Sequence, residues 1–366
     1  MANPKTIKRR RLKKQQPLPF AQRDFPKEII RRLQQIVSMS GRRNGQVFED
    51  FVLLSEATLK ALPDQLKAVG ATGRLAPDPP ETAEIFARIR GHYNDAWLGQ
   101  ERAHLIWQNF AEAFALLLEA TAPGLWGQPN SLNIAGPLSG PDILGYIYQT
   151  WVNSSQAAPG EVYSPWPVAR LMAELTLGQT GERLVYDRLK EALCHPDNIL
   201  GAATLLAGLA LPEEEPGVIR DYFITRVVPA SAEFFEPVSL CDPAIGSNIL
   251  GLAAASIMPE WMVKLGLIVF VGQDISTIAV TVSRVQAMLY GLNSYALHLQ
   301  AAVTEGLAAR QQQQSPVLPQ SPAQVIRKVY QNGHPAPTAN GTGPLFETMF
   351  RTAALQQPAT AEPVGA

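Results

Sequence analysis

Cysteine is scarce: Cys194 and Cys241 are the only two among 366 residues. Two thiols cannot build a disulfide framework or a cysteine-based zinc site. Long apolar runs are missing too. The best candidate, Ile245 to Val263, is broken by Asn248, Pro259 and Glu260, so no segment reads as a membrane-spanning helix. The basic start runs into Gln15, Gln16 and Pro17 rather than an apolar stretch, which is not the pattern of a secretory signal. Charged residues are only 17% of the chain, against 46% hydrophobic. That balance excludes wholesale disorder and permits a sizeable core. The plain reading is a soluble protein of a reducing compartment, the cytoplasm, without membrane contact. The length suggests two domains, or one large domain with extensions.

Some catalytic signatures are absent as well. The five His form no cluster of metal-ligand spacing with Asp or Glu, so no metal site is expected. Neither a Gly-x-Ser-x-Gly elbow nor a Walker-type phosphate loop occurs.

Charge is nearly balanced overall, at −1, but it is unevenly placed. Residues 1–44 carry thirteen Lys and Arg against Asp24 and Glu28, a net of +11, and the remainder of the chain is at −12. The densest part is Lys5, Lys8, Arg9, Arg10, Arg11, Lys13 and Lys14. A basic arm on an acidic body suits phosphate contact with nucleic acid, although such runs bind any polyanion and specify no sequence. A solubilising terminus is the plainer alternative.

Residues 1–24 read as a disordered basic arm and 25–152 as a helical domain. In the latter, Ile29, Ile30, Leu33 and Ile36 recur at helical spacing from Pro26 onward. Helices are also expected at 45–70, 98–121 and Asp142–Val152, with Arg74–Thr82 as a Pro-rich loop. From about residue 153 to 307 the texture becomes α/β. Pro237–Cys241 and Leu267–Val271 read as strands, Asn248–Met258 and Ser276–Tyr290 as helices, which is the alternation of a parallel sheet. A helix with Val168, Leu171, Met172 and Leu175 is expected after Pro165, and Ile199–Leu211 reads as extra helical packing. Residues 308–366 form a Gln/Pro/Ala-rich tail.

Three segments carry the candidate chemistry. Asp242-Pro243-Ala244-Ile245-Gly246-Ser247-Asn248 follows a strand and opens a helix. In doubly wound sheets ligands bind in that crevice, and small residues let the backbone approach them. An acidic strand end suits a cationic or hydroxyl-rich ligand rather than a phosphate. Val271-Gly272-Gln273-Asp274-Ile275 closes the next strand. Its Asp274 is placed to bind ribose hydroxyls, or to cap the following helix. Gly160-Glu161-Val162-Tyr163-Ser164-Pro165 leads into a helix and, alone, reads only as a helix start.

Together these segments resemble the N6-adenine DNA methyltransferases, and most of all the modification subunits of type I restriction systems. Asp142-Ile143-Leu144-Gly145-Tyr146-Ile147-Tyr148-Gln149 is similar to that family too. The resemblance spans roughly 100–305 with large gaps. It implies an α/β fold: a Rossmann-like, S-adenosylmethionine-dependent methyltransferase domain behind a helical one. It implies S-adenosyl-L-methionine as cofactor and DNA as partner. Asp242, Ala244, Gly246 and Ser247 match the loop around the methionine part. Asp274 matches the ribose-binding acid, and Ile275 would lie against the adenine. Glu161, Tyr163, Ser164 and Pro165 match the segment closing over the cofactor. Asn248 stands where the family usually has Gly, and Asn tolerates the turn better than most residues; Ser164 stands where Thr is common.

One family feature is missing. An Asn/Asp-Pro-Pro-Tyr/Phe tetrapeptide should follow the cofactor half, because the adenine amine is a poor nucleophile. Acceptors for its hydrogens raise its reactivity, and the aromatic ring stacks the flipped base. No such tetrapeptide follows Asp274; Asp78-Pro79-Pro80-Glu81 lacks the aromatic and a preceding strand, and His334-Pro335-Ala336-Pro337 lacks the order. The catalytic residue is therefore unassigned, and the second half of the sheet is unaccounted for. Three readings stand: an adenine-specific DNA methyltransferase, a non-catalytic DNA- or partner-binding relative, and a truncated gene product. A separate specificity subunit, or a chain supplying the missing half, would complete the first.

Overall fold

The computed structural model describes residues 23–298, apart from 128–133, 137, 154–163 and 212–214. The expected tail and the densest part of the basic arm, including Lys8, Arg9, Arg10, Arg11, Lys13 and Lys14, lie outside the described residues.

The first half is helical. It runs α1 (Phe25–Ser40), α2 (Asn44–Thr72), α3 (Pro80–His92), α4 (Asp95–Leu98), α5 (Gln100–Thr121) and α6 (Ile143–Ile147), the last continued by a π-helical turn, Tyr148–Val152. α1 shows why. The Asp24 carboxylate accepts from the Lys27 amide at 3.1 Å and Pro26 stands in the first turn, both favourable at a helix start. Gly41 ends it in the left-handed region at φ 68°. Phe25, Ile29, Leu33 and Ile36 are buried along one face, each contributing roughly 1.5–3 kcal/mol against exposure. They join Phe48, Phe51, Ile106, Phe110 and Leu117 in one core. α3 was not expected from the sequence. It starts at Pro80, inside the loop expected over Arg74–Thr82, so the Pro pair opens a helix rather than only breaking one.

The second half continues α7 (Trp166–Leu177), α8 (Gly181–Leu193), α9 (Ile199–Gly208), α10 (Pro216–Tyr222), a π-helical turn (Phe223–Val227) and α11 (Val228–Ala230). Then come β1 (Val238–Asp242), α12 (Ile249–Ile257), α13 (Glu260–Lys264), β2 (Ile268–Asp274), α14 (Thr277–Tyr290) and β3 (Ser294–His298). The three strands pair in parallel in the order β1-β2-β3. The described chain is thus mostly helical, with a small parallel sheet.

α7 and α9 both form where the sequence predicts helices. α7 forms, but its large apolar stripe is not the buried face: Val168, Leu171, Met172 and Leu175 are exposed, Leu175 by 79%. Trp166, Ala169, Ala173 and Leu177 are buried instead, and this largely small-residue side packs on α12, itself lined by Ala253, Ala254 and Ala255. Close helix approach selects small residues, so side-chain size misleads a count of apolar positions. α9 likewise forms, but Ile199, Leu200 and Leu206 are exposed, Ile199 by 77%. Leu205 alone among its leucines and isoleucine packs against the core of the second half, half-buried.

α14 joins the two cores. Val282 and Val285 belong to the core of the first half, Ala287 and Tyr290 to the core of the second. Arg284 on the same helix donates to the Ala296 carbonyl of β3 at 2.7 Å and faces Glu56 of α2 at 3.7 Å.

Candidate functional site

Register sets the site. Asp242 pairs with Gly272 and Asp274 with His298, so the carboxyl ends of adjacent parallel strands carry Asp242, Asp274 and His298. β1 and β2 run further than the sequence patterning suggested, which makes each Asp the last residue of its strand. Sequence patterning gave no sign of His298, because β3 is only five residues long and carries no apolar run like those of β1 and β2. Its Nε2 lies 2.9 Å from the Ile275 carbonyl.

The loop after β1 is tied to the end of β2 by two bonds. The Ile245 amide donates to the Gln273 carbonyl at 3.0 Å, and the Gly246 amide to Asp274 Oδ2 at 2.9 Å. The Ile245 side chain is buried with Val280 and Ala296. It reaches there because residue 272 is Gly: a Cβ at that position would stand 2.1 Å from the Ile245 Cδ1. Asn248 takes φ 73°, a left-handed conformation that Asn tolerates. Its carbonyl accepts from the Leu252 amide at 2.9 Å, starting α12.

The two carboxylates differ. Asp242 Oδ1 accepts from the Ala244 amide at 3.0 Å, while its Oδ2 is buried and finds no partner among the described residues. A buried acceptor without a donor is costly in a folded protein and commonly waits for water or ligand. Asp274 Oδ1 accepts from the Ser276 amide at 2.9 Å, so it also steadies the start of α14. Both of its oxygens keep a second lone pair. Ile275 projects an apolar side chain beside them, 78% exposed. Pro243 and Ala244 are exposed as well.

Ser247 does not share that exposure. It is 1% exposed, and its hydroxyl donates to Asp142 Oδ2 in a short hydrogen bond. Gln286 of α14 donates both to Asp142 Oδ1, at 2.8 Å, and to the Ser247 carbonyl. Asp142 Oδ1 further caps α6 through the Gly145 amide at 2.8 Å. Tyr290 donates to the Pro141 carbonyl at 2.8 Å. Burial pushes the Asp142 carboxyl up to about 6, against the lowering effect of Ser247, Gly145 and Gln286. Burial also raises the Tyr290 phenol, with the Asp142 charge adding to it.

Ser164 and Pro165 lead into α7; Glu161 and Tyr163 lie outside the described residues. The start of α7 is anchored by the loop before Asp142. The Trp166 amide donates to the Leu138 carbonyl, and the Trp166 ring lies against Gly140, at φ 58°, where a Cβ would meet the ring at 2.4 Å. The structure therefore links 138–147, 164–166, 242–248 and 274–286 into one connected region. Asp78 stands apart, before α3, accepting from Gln65 at 3.4 Å. A cleft of about 780 Å³ lined by Tyr93, Gln100, His104 and Trp107 belongs to the helical half and includes none of the expected residues. Among the described residues no group of three His, Cys, Asp or Glu is placed to hold a metal ion, and no helix is long and apolar enough to cross a membrane.

No protein-family profile matches the chain, and no curated protein does. A solved structure, the methyltransferase subunit of a type I restriction-modification system from Streptococcus thermophilus, aligns with TM-score 0.27 and 14% identity over 75% of this chain. The aligned part spans 57% of that subunit.

The buried carboxylate makes a testable prediction. A folded-state value raised from 3.8 to about 6 contributes stability that is present below pH 3.8 and lost as pH rises through about 6. The shift corresponds to about 3 kcal/mol. Asp142→Asn keeps the shape and can accept from Gln286 while donating to Ser247. Its stability relative to the native chain should therefore rise by about 2.5 kcal/mol between pH 4 and pH 7.5. Urea unfolding at both pH values measures this; a difference independent of pH contradicts it.

Proposed function

We propose that this chain binds S-adenosyl-L-methionine in a Rossmann-like cofactor half and is an adenine-specific (N6) DNA methyltransferase-type protein of restriction-modification ancestry. The observation that supports this best is the pair of acidic residues closing adjacent parallel strands, coupled through the Gly246 amide held by Asp274. The buried, donorless Asp242 Oδ2 fits the cationic methionine end of the cofactor. The free lone pairs of Asp274 fit ribose hydroxyls, and the exposed Ile275 fits an adenine face. Ala244 and Gly246 would border the ligand, and Ser164, Pro165, Glu161 and Tyr163 would close over it. When bound, the cofactor supplies an electrophilic methyl group. The chain's own residues would orient that group and exclude water from one side of it.

The sequence favours a second reading, a non-catalytic relative that binds DNA or a partner. No acceptor-Pro-Pro-aromatic tetrapeptide follows Asp274, so nothing recognisable activates the adenine amine. On the first reading another chain supplies that pair, and a specificity subunit supplies sequence recognition. Labelled-methyl transfer to unmethylated DNA separates the two readings.

Two measurements test the binding claims. Calorimetry with S-adenosylhomocysteine should show heat with the native chain, and Asp274→Ala should weaken binding by about 1–3 kcal/mol through lost charge-assisted hydrogen bonds. No heat from the folded native chain refutes the cofactor assignment. For DNA, removing residues 1–16, which carry Lys8, Arg9, Arg10, Arg11, Lys13 and Lys14, should flatten the salt dependence of binding. Each phosphate contact contributes about −0.9 to that slope; an unchanged slope means the arm is not the contact.

A further inference from the structure

Ser247 lies inside the loop assigned to the cofactor, yet its side chain turns away from it. Its hydroxyl is held by Asp142 and its carbonyl by Gln286. The two holding residues also hold each other, at 2.8 Å, and come from parts of the chain 144 residues apart. All three are buried to within 1%. Both Asp142 oxygens, the Ser247 hydroxyl and the Gln286 amide nitrogen are thus bonded, and a buried network held at several points is stiff.

The loop has reason to need such a hold. On either side of Ser247, Gly246 and Asn248 adopt φ of 51° and 73°. A non-Gly residue in that region costs about 1–2 kcal/mol and persists when its surroundings over-determine it. Ser247 is fixed by the hydroxyl and the carbonyl together, which pins the peptide units on both sides. The Gly246 amide then points at Asp274, and α12 starts at Asn248.

Resting on the cofactor reading above, we propose that Asp142 and Gln286 are positioning residues for the 242–248 loop, acting through Ser247 without touching the ligand. Asp142 caps α6 with the same carboxylate, so the seating of the helical half sets the shape of the loop. Ser247 belongs with the clamp rather than with the ligand contacts.

Hydrogen–deuterium exchange of the ligand-free full chain tests this without any cofactor. Gln286→Leu, which removes both hydrogen bonds of that side chain, should raise the exchange rate of peptides covering 243–248 by at least about tenfold. Peptides from α5 and α1 should not change. Ser247→Ala, a smaller lesion, should act in the same direction and serves if Gln286→Leu does not fold. Asp142→Asn, which keeps the bonds from Gln286 and Gly145 and reverses the one with Ser247, should raise exchange at 243–248 less than Gln286→Leu does. Unchanged exchange at 243–248, or a uniform rise throughout the protein, overturns the proposal. A local rise in a chain that gives no heat with S-adenosylhomocysteine upholds the clamp and removes only the cofactor reading. Where the native chain does bind, Gln286→Leu should lose affinity about tenfold and Asp142→Asn less than about twofold.

Discussion

The described fold depends on one buried carboxylate. Asp142 has no cationic partner in its hydrogen-bond set; it is stabilised by the Ser247 hydroxyl, the Gln286 amide and the Gly145 backbone. Burying a charge this way is expensive, and removing any donor leaves it under-compensated. The raised pKa of Asp142 records that expense. In return, one residue joins the helical half, the loop after β1 and the helix after β2. The two apolar cores meet on that same helix, α14, so polar and apolar connections coincide.

The candidate site follows from this frame and from sheet geometry. Parallel strands in register bring Asp242 and Asp274 to the same end of the sheet. The missing side chain at Gly272 lets Ile245 lie against the sheet, and Asp274 takes the Gly246 amide. The loop is thus held by an apolar anchor, a backbone bond and the Ser247 clamp, while Asp242 Oδ2, Ile275 and Ala244 are left for other contacts. The clamp is internal to the protein; the contacts left over are the ones a ligand can use.

Much of this was legible in the sequence, and the reasons are local. An apolar run followed by Asp-Pro-Ala-x-Gly predicts a strand, a tight turn and a helix, because backbone propensity and turn chemistry act over a few residues. The same holds for Gly-Gln-Asp-Ile after the second run. What stayed hidden is long-range. Ser247 looked like a loop residue facing a ligand; only its contacts with Asp142 and Gln286 turn it inward, and no spacing rule encodes a pairing over 105 or 39 residues. Asp142 did carry a signal, as an acidic residue before an apolar helix, but that signal specifies a cap and not a clamp. The buried side of α7 stayed hidden for a related reason: amphipathic periodicity identifies two faces, while the partner, here the alanine-rich α12, decides which is buried.

On the proposed reading, the carboxyl ends of β1 and β2 bind the adenosine and methionine parts of one cofactor. Crystals of the full chain grown with S-adenosylhomocysteine should then show ligand density against Asp242 and Asp274, with the adenine over Ile275 and Ser247 still bonded to Asp142. Density in the helical cleft beside Tyr93 and Trp107 instead, or a ligand at the sheet that touches neither Asp, would contradict it.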